Sequence, residues 1–286
     1  MRIAFATCSA MPEGSPDDRA AATALAAEHV VWNDRSVDWD AYDRVIIRSV
    51  WDYTSRVDEF VAWCRSVGGE RLSNNAETVA FNADKRYLSE LSCPTVPTVF
   101  VGPGEALPGW DGELVVKPNV SAGARHTGRF GPASADGARE LVAAIHASGR
   151  VALVQPYLGS VDERGESALV FLAGELSHEL RKRAVLAPDE VAPITDGPLA
   201  VATVMLDEQL VVAHAAADDE RALAREIVAE VSRRFGTPLY ARVDLVRDGG
   251  GRPVLIELEL IEPRLYFEAV SGATERFVAA VSGDGR

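Results

Sequence analysis

Apolar positions recur along this chain with two rhythms, and the rhythm changes where the architecture changes. In the first third, short apolar runs alternate with helical spacing. Ile3–Thr7 is a run of buried-strand length, residues 20–27 are Ala/Leu-rich and helical, and residues 29–32 and 44–48 are two further strands. Val57, Phe60, Val61 and Cys64 follow the i, i+3, i+4, i+7 spacing of a helix face, and Gly68-Gly69 ends it. This βαβ order predicts a parallel sheet with helices on its faces. Ligands in such sheets bind beyond the carboxyl ends of the strands, which places Arg48, Ser49, Trp51, Asp52 and Tyr53 at a ligand edge.

The middle reads differently. The spacing predicts a helix over 77–91, with Asp84 and Lys85 near its middle and Cys93-Pro94 as its break. Residues 114–118 form a strand ending in Lys117-Pro118. A glycine-containing loop over 119–131 leads to a helix capped by Ser134 or Asp136 and finished near Gly149. Residues 151–154 are a buried strand closed by Gln155-Pro156-Tyr157-Leu158. The last third is antiparallel in character. A strand over 168–173 turns at Gly174, and Asp218–Phe235 is a long helix stopped by Gly236 and Pro238. Strands over 239–246 and 253–260 flank Arg247-Asp248-Gly249-Gly250-Gly251-Arg252, a hairpin signal. A final helix carries Phe277 and Val278.

Composition narrows the function classes. The 286 residues suffice for two or three subdomains, and 47% hydrophobic with 25% charged is ordinary for a globular protein. A net charge of -14 repels phosphate backbones, so no nucleic-acid partner is expected. It also means that an anionic ligand needs a local basic pocket or a bound cation. Cys8, Cys64 and Cys93 have no metal or disulfide spacing and read as reduced cytosolic thiols. The first apolar run is too short for a signal peptide and none is long enough to span a bilayer, so the expectation is a soluble cytoplasmic protein without a membrane partner.

The hairpin carries the strongest chemical signal. Arg242 and Asp244 share one face of its first strand, and Glu257 and Glu259 share one face of its second. If the faces coincide, three carboxylates and an arginine converge, and a divalent cation is the usual relief for such crowding. A surface hairpin with acids facing water is the bland alternative, weakened by the apolar residues alternating on the opposite face. Lys117, at a strand end before a glycine loop, suits nucleotide phosphates, and Ser121, Gly123 and Gly128 let backbone approach closely. A solvent-facing lysine beside a mobile loop explains that fragment more readily when it is taken alone, and no Walker A pattern occurs. The linker over 155–158 and Glu166 would suit an adenine edge and ribose hydroxyls, although linkers and carboxylates are common.

Taken in order, Asn82-Ala83-Asp84-Lys85, Val115-Val116-Lys117-Pro118, Ser121-Ala122-Gly123, Gln155-Pro156-Tyr157-Leu158 and the Arg-x-Asp … Glu-x-Glu hairpin resemble the ATP-grasp superfamily over nearly the whole chain. Arg48-Ser49-Val50-Trp51-Asp52-Tyr53, Ser177-His178 with Arg181-Lys182, and the continuation to Glu262-Pro263 resemble more closely the cyclo-ligases of D-cycloserine biosynthesis, a branch acting on O-ureido-D-serine. The resemblance implies an α/β plus α+β fold: an N-terminal parallel-sheet domain over 1–80, a central region with a lid subdomain over 81–158, and a C-terminal antiparallel subdomain over 159–286. It implies ATP and Mg²⁺. Lys85, Lys117 and Lys182 would meet phosphates, with the loop over 121–128 closing on them. Gln155, Tyr157 and Leu158 would meet adenine, and Glu166 ribose. Asp244, Glu257 and Glu259 would hold Mg²⁺, Glu259 standing where the family usually has asparagine. Arg242 would stabilise the transferring phosphoryl group.

The implied activity is ATP-dependent ligation of an amino-acid-like carboxylate to nitrogen through an acyl-phosphate, within one molecule, in antibiotic biosynthesis. An intermolecular amino-acid ligase, a kinase and a non-catalytic ATP-binding module are the competing readings. Arg48 and Arg264 are candidate carboxylate clamps, and Asp17, Asp18 or Asp52 candidate ammonium partners. Each has a structural alternative: an ion pair for Arg48, a helix start for Asp17 and Asp18. His178 reads as a structural hydrogen-bond partner, and Trp51 and Trp63 as packing residues. The glycine loop and the region after Lys182 are natural lids. Homo-oligomers occur in the resembling family, and no segment here reads as an interface.

Overall fold

The computed structural model describes every residue except 70, 193–198, 200–202, 208 and 284–286. The N-terminal strands are β1 (Ile3–Thr7), β2 (Glu28–Val31), β3 (Arg44–Ser49) and β4 (Leu72–Ser73). They form one parallel sheet in the order β2-β1-β3-β4. Helices α1 (Arg19–Leu25) and α2 (Val57–Val67) connect them. The helical stripe of α2 buries Phe60, Trp63, Cys64 and Val67, and Trp63 stacks on Phe60 as a packing residue. β4 escapes periodicity because two residues have no period.

The helix expected over 77–91 is instead α3 (Ala76–Asn82), an interruption, and a 3₁₀ turn over Lys85–Ser89. Asp84 is extended and its carboxylate caps Arg86 N. The break has a tertiary cause. The segment Pro253–Glu259, strand β14, lies at a sheet edge, and its outer backbone groups need partners. Asn82 takes Leu258 O and Leu260 N, and Tyr87 takes Leu258 N and O, all at 2.8–2.9 Å. A continuous helix does not set both side chains along one extended strand.

The central sheet contains β5 (Val99–Val101), β6 (Leu114–Pro118), β7 (Gly128–Phe130) and β8 (Ala152–Pro156), with α4 (Ala135–Ala147) packed on it. The loop expected to reach residue 131 thus closes earlier, because β7 pairs with β6. After α5 (Ser160–Arg164) come β9 (Glu166–Leu172), β10 (Glu175–Lys182), β11 (Glu190–Val191), β12 (Val211–Ala213), α6 (Asp218–Phe235), β13 (Tyr240–Arg247), β14 (Pro253–Glu259) and α7 (Ala273–Ser282). The central sheet runs β11-β7-β6-β8-β5 and the C-terminal sheet β12-β10-β9-β13-β14, with every pairing antiparallel.

Two cores fix the C-terminal sheet. One face packs Ala241, Val243, Leu245 and Leu258 under Leu223, Ile227 and Val231 of α6. The other packs Ala168 and Val170 against Ile3, Phe5 and Ile46 of the parallel sheet and Phe277 of α7. The alternating residues Arg242 and Asp244 are therefore turned away from α6. Among the described residues no helix is long and apolar enough to cross a membrane.

Candidate functional site

The two antiparallel sheets and the N-terminal domain enclose a cleft of about 470 Å³. Its floor is the β13–β14 hairpin. Register pairs Arg242 with Glu259 and Asp244 with Glu257, so all four side chains leave the same face. Asp244 is wholly buried. It accepts from Arg242 Nε at 2.9 Å, Arg242 Nη2 at 2.9 Å and Lys182 Nζ at 2.8 Å. Burial works to raise its pKa, but the two cations win and hold the carboxyl well below its usual range. Lys182 Nζ also donates to Glu166 Oε2 at 2.9 Å. Burial opposes its charge, and Asp244 and Glu166 override that, so it stays protonated far above ordinary lysine pH. Arg242 further contacts the Glu259 carboxylate and donates to Arg264 O at 3.0 Å.

Lys85 Nζ lies 3.2 Å from Glu257 Oε1 and donates to Ser121 O at 2.9 Å. Lys117, at the end of β6, is 8% exposed, and among the described residues no hydrogen bond or ion pair reaches its ammonium. Its pKa is lowered by burial, which Glu257 counters and Lys85 reinforces. Burial would raise Glu257, but Lys85, Lys117 and Lys182 hold it at about 2. Glu259 is pushed up to about 7 by burial and by the charges of Glu257 and Asp244, against the pull of Arg242.

Two cleft-facing carboxyls, one raised by burial and by its neighbours' negative charge, fit a hard divalent cation, which takes few carboxylates and completes its shell with water and phosphate oxygens. Asp244, the third expected ligand, has both its oxygens engaged by Arg242 and Lys182 and clamps those two cations. No group of three His, Cys, Asp or Glu among the described residues is placed to hold an ion.

Ser121, Gly123 and Ala124 line the cleft, with φ of 62° and 54° at Gly123 and Ala124 bringing backbone inward. Arg125 Nη2 donates to Trp51 O at 3.2 Å and contacts the Thr54 hydroxyl, fastening this loop to the N-terminal domain. His126 is exposed and outside the cleft lining. At the apolar end stand Val96, Val115, Leu158 and Ile256. Gln155 Nε2 donates to Thr98 Oγ1 at 2.9 Å. The Tyr157 hydroxyl donates to Asp162 at 2.6 Å, with the Arg129 guanidinium 3.5 Å over its ring. Leu186 and Leu199, beyond Lys182, also line the cleft, and the rest of the expected second lid falls partly on residues outside those described.

Three of the four expected substrate residues are corrected. Arg48 is 2% exposed, paired with Asp18 at 2.7 Å, and donates to Pro263 O at 3.0 Å. Asp17 touches the cleft, but its carboxylate accepts from Leu265, Tyr266 and Phe267 N at 2.9–3.1 Å. Asp52 is engaged by Trp32 Nε1 and Arg56, each at 2.8 Å, away from the cleft. Arg48 and Asp17 are tethers: the N-terminal domain uses them to fix residues 263–267. Arg264 does face the cleft, over the Tyr266 ring at 5.0 Å. His178 is structural as expected, with Nε2 2.6 Å from Leu265 O. Trp51 differs from its expected packing role by lining the cleft. Tyr53, expected at a ligand edge, lines it, and so do Tyr266 and Glu262, to which sequence reasoning gave no role. Only the alternation of Glu257, Glu259 and the nearby Glu262-Pro263 hinted at the last.

A profile of the N-terminal domain of D-cycloserine synthetase DcsG matches residues 3–74. The cycloserine biosynthesis protein DcsG of Streptomyces lavendulae is 34% identical over 275 residues, covering 90% of this chain and 88% of that protein. The crystal structure of D-cycloserine synthetase DcsG matches with a TM-score of 0.81 and 30% identity over 99% of both chains. A D-alanine–D-alanine ligase from Bacillus anthracis, solved with ATP, matches at TM-score 0.65 and 13% identity, over 99% of this chain and 92% of that one. An ATP-grasp RimK domain protein from Sphaerobacter thermophilus matches at 0.61 and 16%, over 99% and 100%. These last two show the shared fold.

Proposed function

The chain belongs to the D-cycloserine synthetase DcsG family of ATP-grasp ligases, and from that premise we propose that it joins a carboxyl carbon to nitrogen within one small amino-acid-like molecule, using ATP and passing through an acyl-phosphate. One observation carries the reading: in a protein of charge -14, Lys85, Lys117 and Lys182 converge from three separate elements on one acidic hairpin that also carries Arg242. Such a concentration of positive charge suits a polyphosphate and little else of that size.

Phosphoryl transfer needs positioning and charge neutralisation more than covalent help. Lys117 would meet the phosphates directly. Lys85 and Lys182 would do so from positions set by Glu257, Glu166 and Asp244. Arg242 would face the transferring group, its guanidinium oriented by Asp244. Glu257 and Glu259 would hold Mg²⁺, which neutralises phosphate charge when bound. Gln155, Tyr157 and Leu158 would flank adenine, with Glu166 toward ribose. Arg264 would take the substrate carboxylate. The loop around Ser121 and Gly123, anchored through Arg125, would keep water from the acyl-phosphate. The three-part division at residues 80 and 158 assigns these roles to an N-terminal substrate wall, a lid and a catalytic sheet. The reaction would run in the cytoplasm.

The test is ADP release over D- and L-amino acids, O-ureido-D-serine included, with mass spectrometry of the product. The expected outcome is ADP release with one organic substrate and a cyclic product. A requirement for a second amine would overturn the ring-closing reading, and a stable free phosphoester would point to a kinase.

A further inference from the structure

The carboxylates lining the cleft are not equally engaged. Asp17 holds three backbone amides, Glu166 holds Lys182, Glu257 holds Lys85 and Glu259 holds Arg242. Glu262 is the exception. It is 9% exposed, it lines the cleft, and among the described residues no hydrogen bond or ion pair from another residue reaches its carboxyl, which has only its own backbone N–H. A buried polar group without a partner is costly unless a ligand completes it.

The backbone around Glu262 is held firmly from both sides. Asn82 Oδ1 accepts from Leu260 N at 2.8 Å, and Asn74 Nδ2 donates to Leu260 O at 2.8 Å. The Tyr240 hydroxyl lies 2.9 Å from Ile261 O, and Arg48 Nη2 is 3.0 Å from Pro263 O. An unpartnered side chain on a backbone this constrained is aimed rather than loose. It stands on the N-terminal-domain side of Glu259, in the part of the cleft also lined by Tyr53 and Arg264. The charged and titratable groups around it are Glu257 and Glu259 of β14, Lys85, Tyr53, Arg125 and Tyr240.

We propose that Glu262 meets the attacking nitrogen of the substrate, accepting its N–H and taking up the proton released as the C–N bond forms. The inference rests on the ligase reading. The step balances: the nitrogen lone pair bonds to the acyl carbon, the carbon–oxygen bond to phosphate breaks, and phosphate leaves with that electron pair. The N–H proton passes to the Glu262 carboxylate. The attacking nitrogen of O-ureido-D-serine is bonded to a carbonyl as well as to oxygen, so unlike free hydroxylamine it is a poor nucleophile, and its proton must be removed as the bond forms. A carboxyl shielded from water at the wall of the cleft is suited to that task.

The test compares wild type, Glu262→Gln and Glu262→Asp with O-ureido-D-serine and ATP, in two assays. One measures cyclic product. The other traps the acyl-phosphate with hydroxylamine, which attacks without a base at neutral pH. Glu262→Gln is expected to lose product formation about 10²-fold while hydroxamate yield stays near wild type, and Glu262→Asp to recover part of the loss. Thermal midpoints confirm that all three fold. Wild-type product formation by Glu262→Gln overturns the proposal, as does parallel loss of product and hydroxamate in a folded variant. If the wild type itself gives neither ADP nor hydroxamate, the ligase reading fails and this proposal falls with it.

Discussion

Lys117 and Glu262 are the cleft's two charged side chains that no ion pair or side-chain hydrogen bond from another residue reaches among the described residues, one of each sign. An unpaired buried ammonium contributes nothing to stability that a neutral chain of similar shape would lose. Lys117→Met should therefore leave the thermal midpoint unchanged or raised, while substrate-dependent ADP release drops about 10²-fold. Unaltered turnover in that variant would remove Lys117 from the phosphate site. Arg242 makes a poorer probe. It is bound to wholly buried Asp244, and breaking such a pair costs about 3–5 kcal/mol, so loss of activity would be mixed with loss of fold. Glu262 has a signature in stability. Burial and the charge of Glu259 push its pKa up to about 8, against an ordinary value of 4.5. Between those values the unfolded chain has released a proton that the folded chain still holds. Stability of the nucleotide-free protein therefore falls as pH rises across that window, by at most about 1.4 kcal/mol per pH unit from this group. Below it both states are protonated and the effect vanishes. The urea midpoint should decline from pH 5 to 8, and less steeply in Glu262→Gln; identical slopes would contradict the assignment.

At the scale of elements, the positions of Lys182 and Glu166 depend on the connection into β9. Gly165 has φ 71°, and a Cβ there would stand 2.2 Å from Lys182 O. Gly165→Ala must push β10 away at Lys182, so it should destabilise the protein by more than about 1 kcal/mol and lower activity together. Gly249→Ala in the hairpin turn, where a Cβ meets nothing within 4 Å, is the control. Denaturant midpoints and ADP assays on both variants check this. Gly165→Ala behaving like the control would show that the connection does not fix the lysine. The hairpin itself was legible as a pattern, since its period-two alternation and glycine turn are local. The break at Asp84 was not. It follows from the need of β14 for edge partners, supplied by Asn82 and Tyr87 from another part of the chain.

Over the whole molecule, the N-terminal domain does more than border the cleft. Asn74 donates to Tyr240 O and Leu260 O and accepts from Leu239 N at 2.7–2.9 Å, pinning the parallel sheet to both strand-bearing segments of the hairpin. Asn74→Ala leaves those buried groups unpaired and should cost roughly 3 kcal/mol. Because the same contacts align Glu262, product formation should fall more than hydroxamate yield. A variant with wild-type stability would show that the docking rests on the shared apolar core alone. The chain by itself determined its two rhythms, the hairpin with Arg242 opposite its glutamates, and the lysine that closes β6, because alternation, glycine turns and strand ends are properties of neighbouring residues. It did not determine which charges are spent internally. Arg48, Asp17, Asp52 and Asp244 looked available for ligands and are engaged by partners 20 to 250 residues away, beside the near neighbours Arg56 and Arg242. Glu262 looked incidental and is left without one. An ionisable side chain is free or committed according to what the fold packs against it, and only the tertiary structure brings those distant partners within reach.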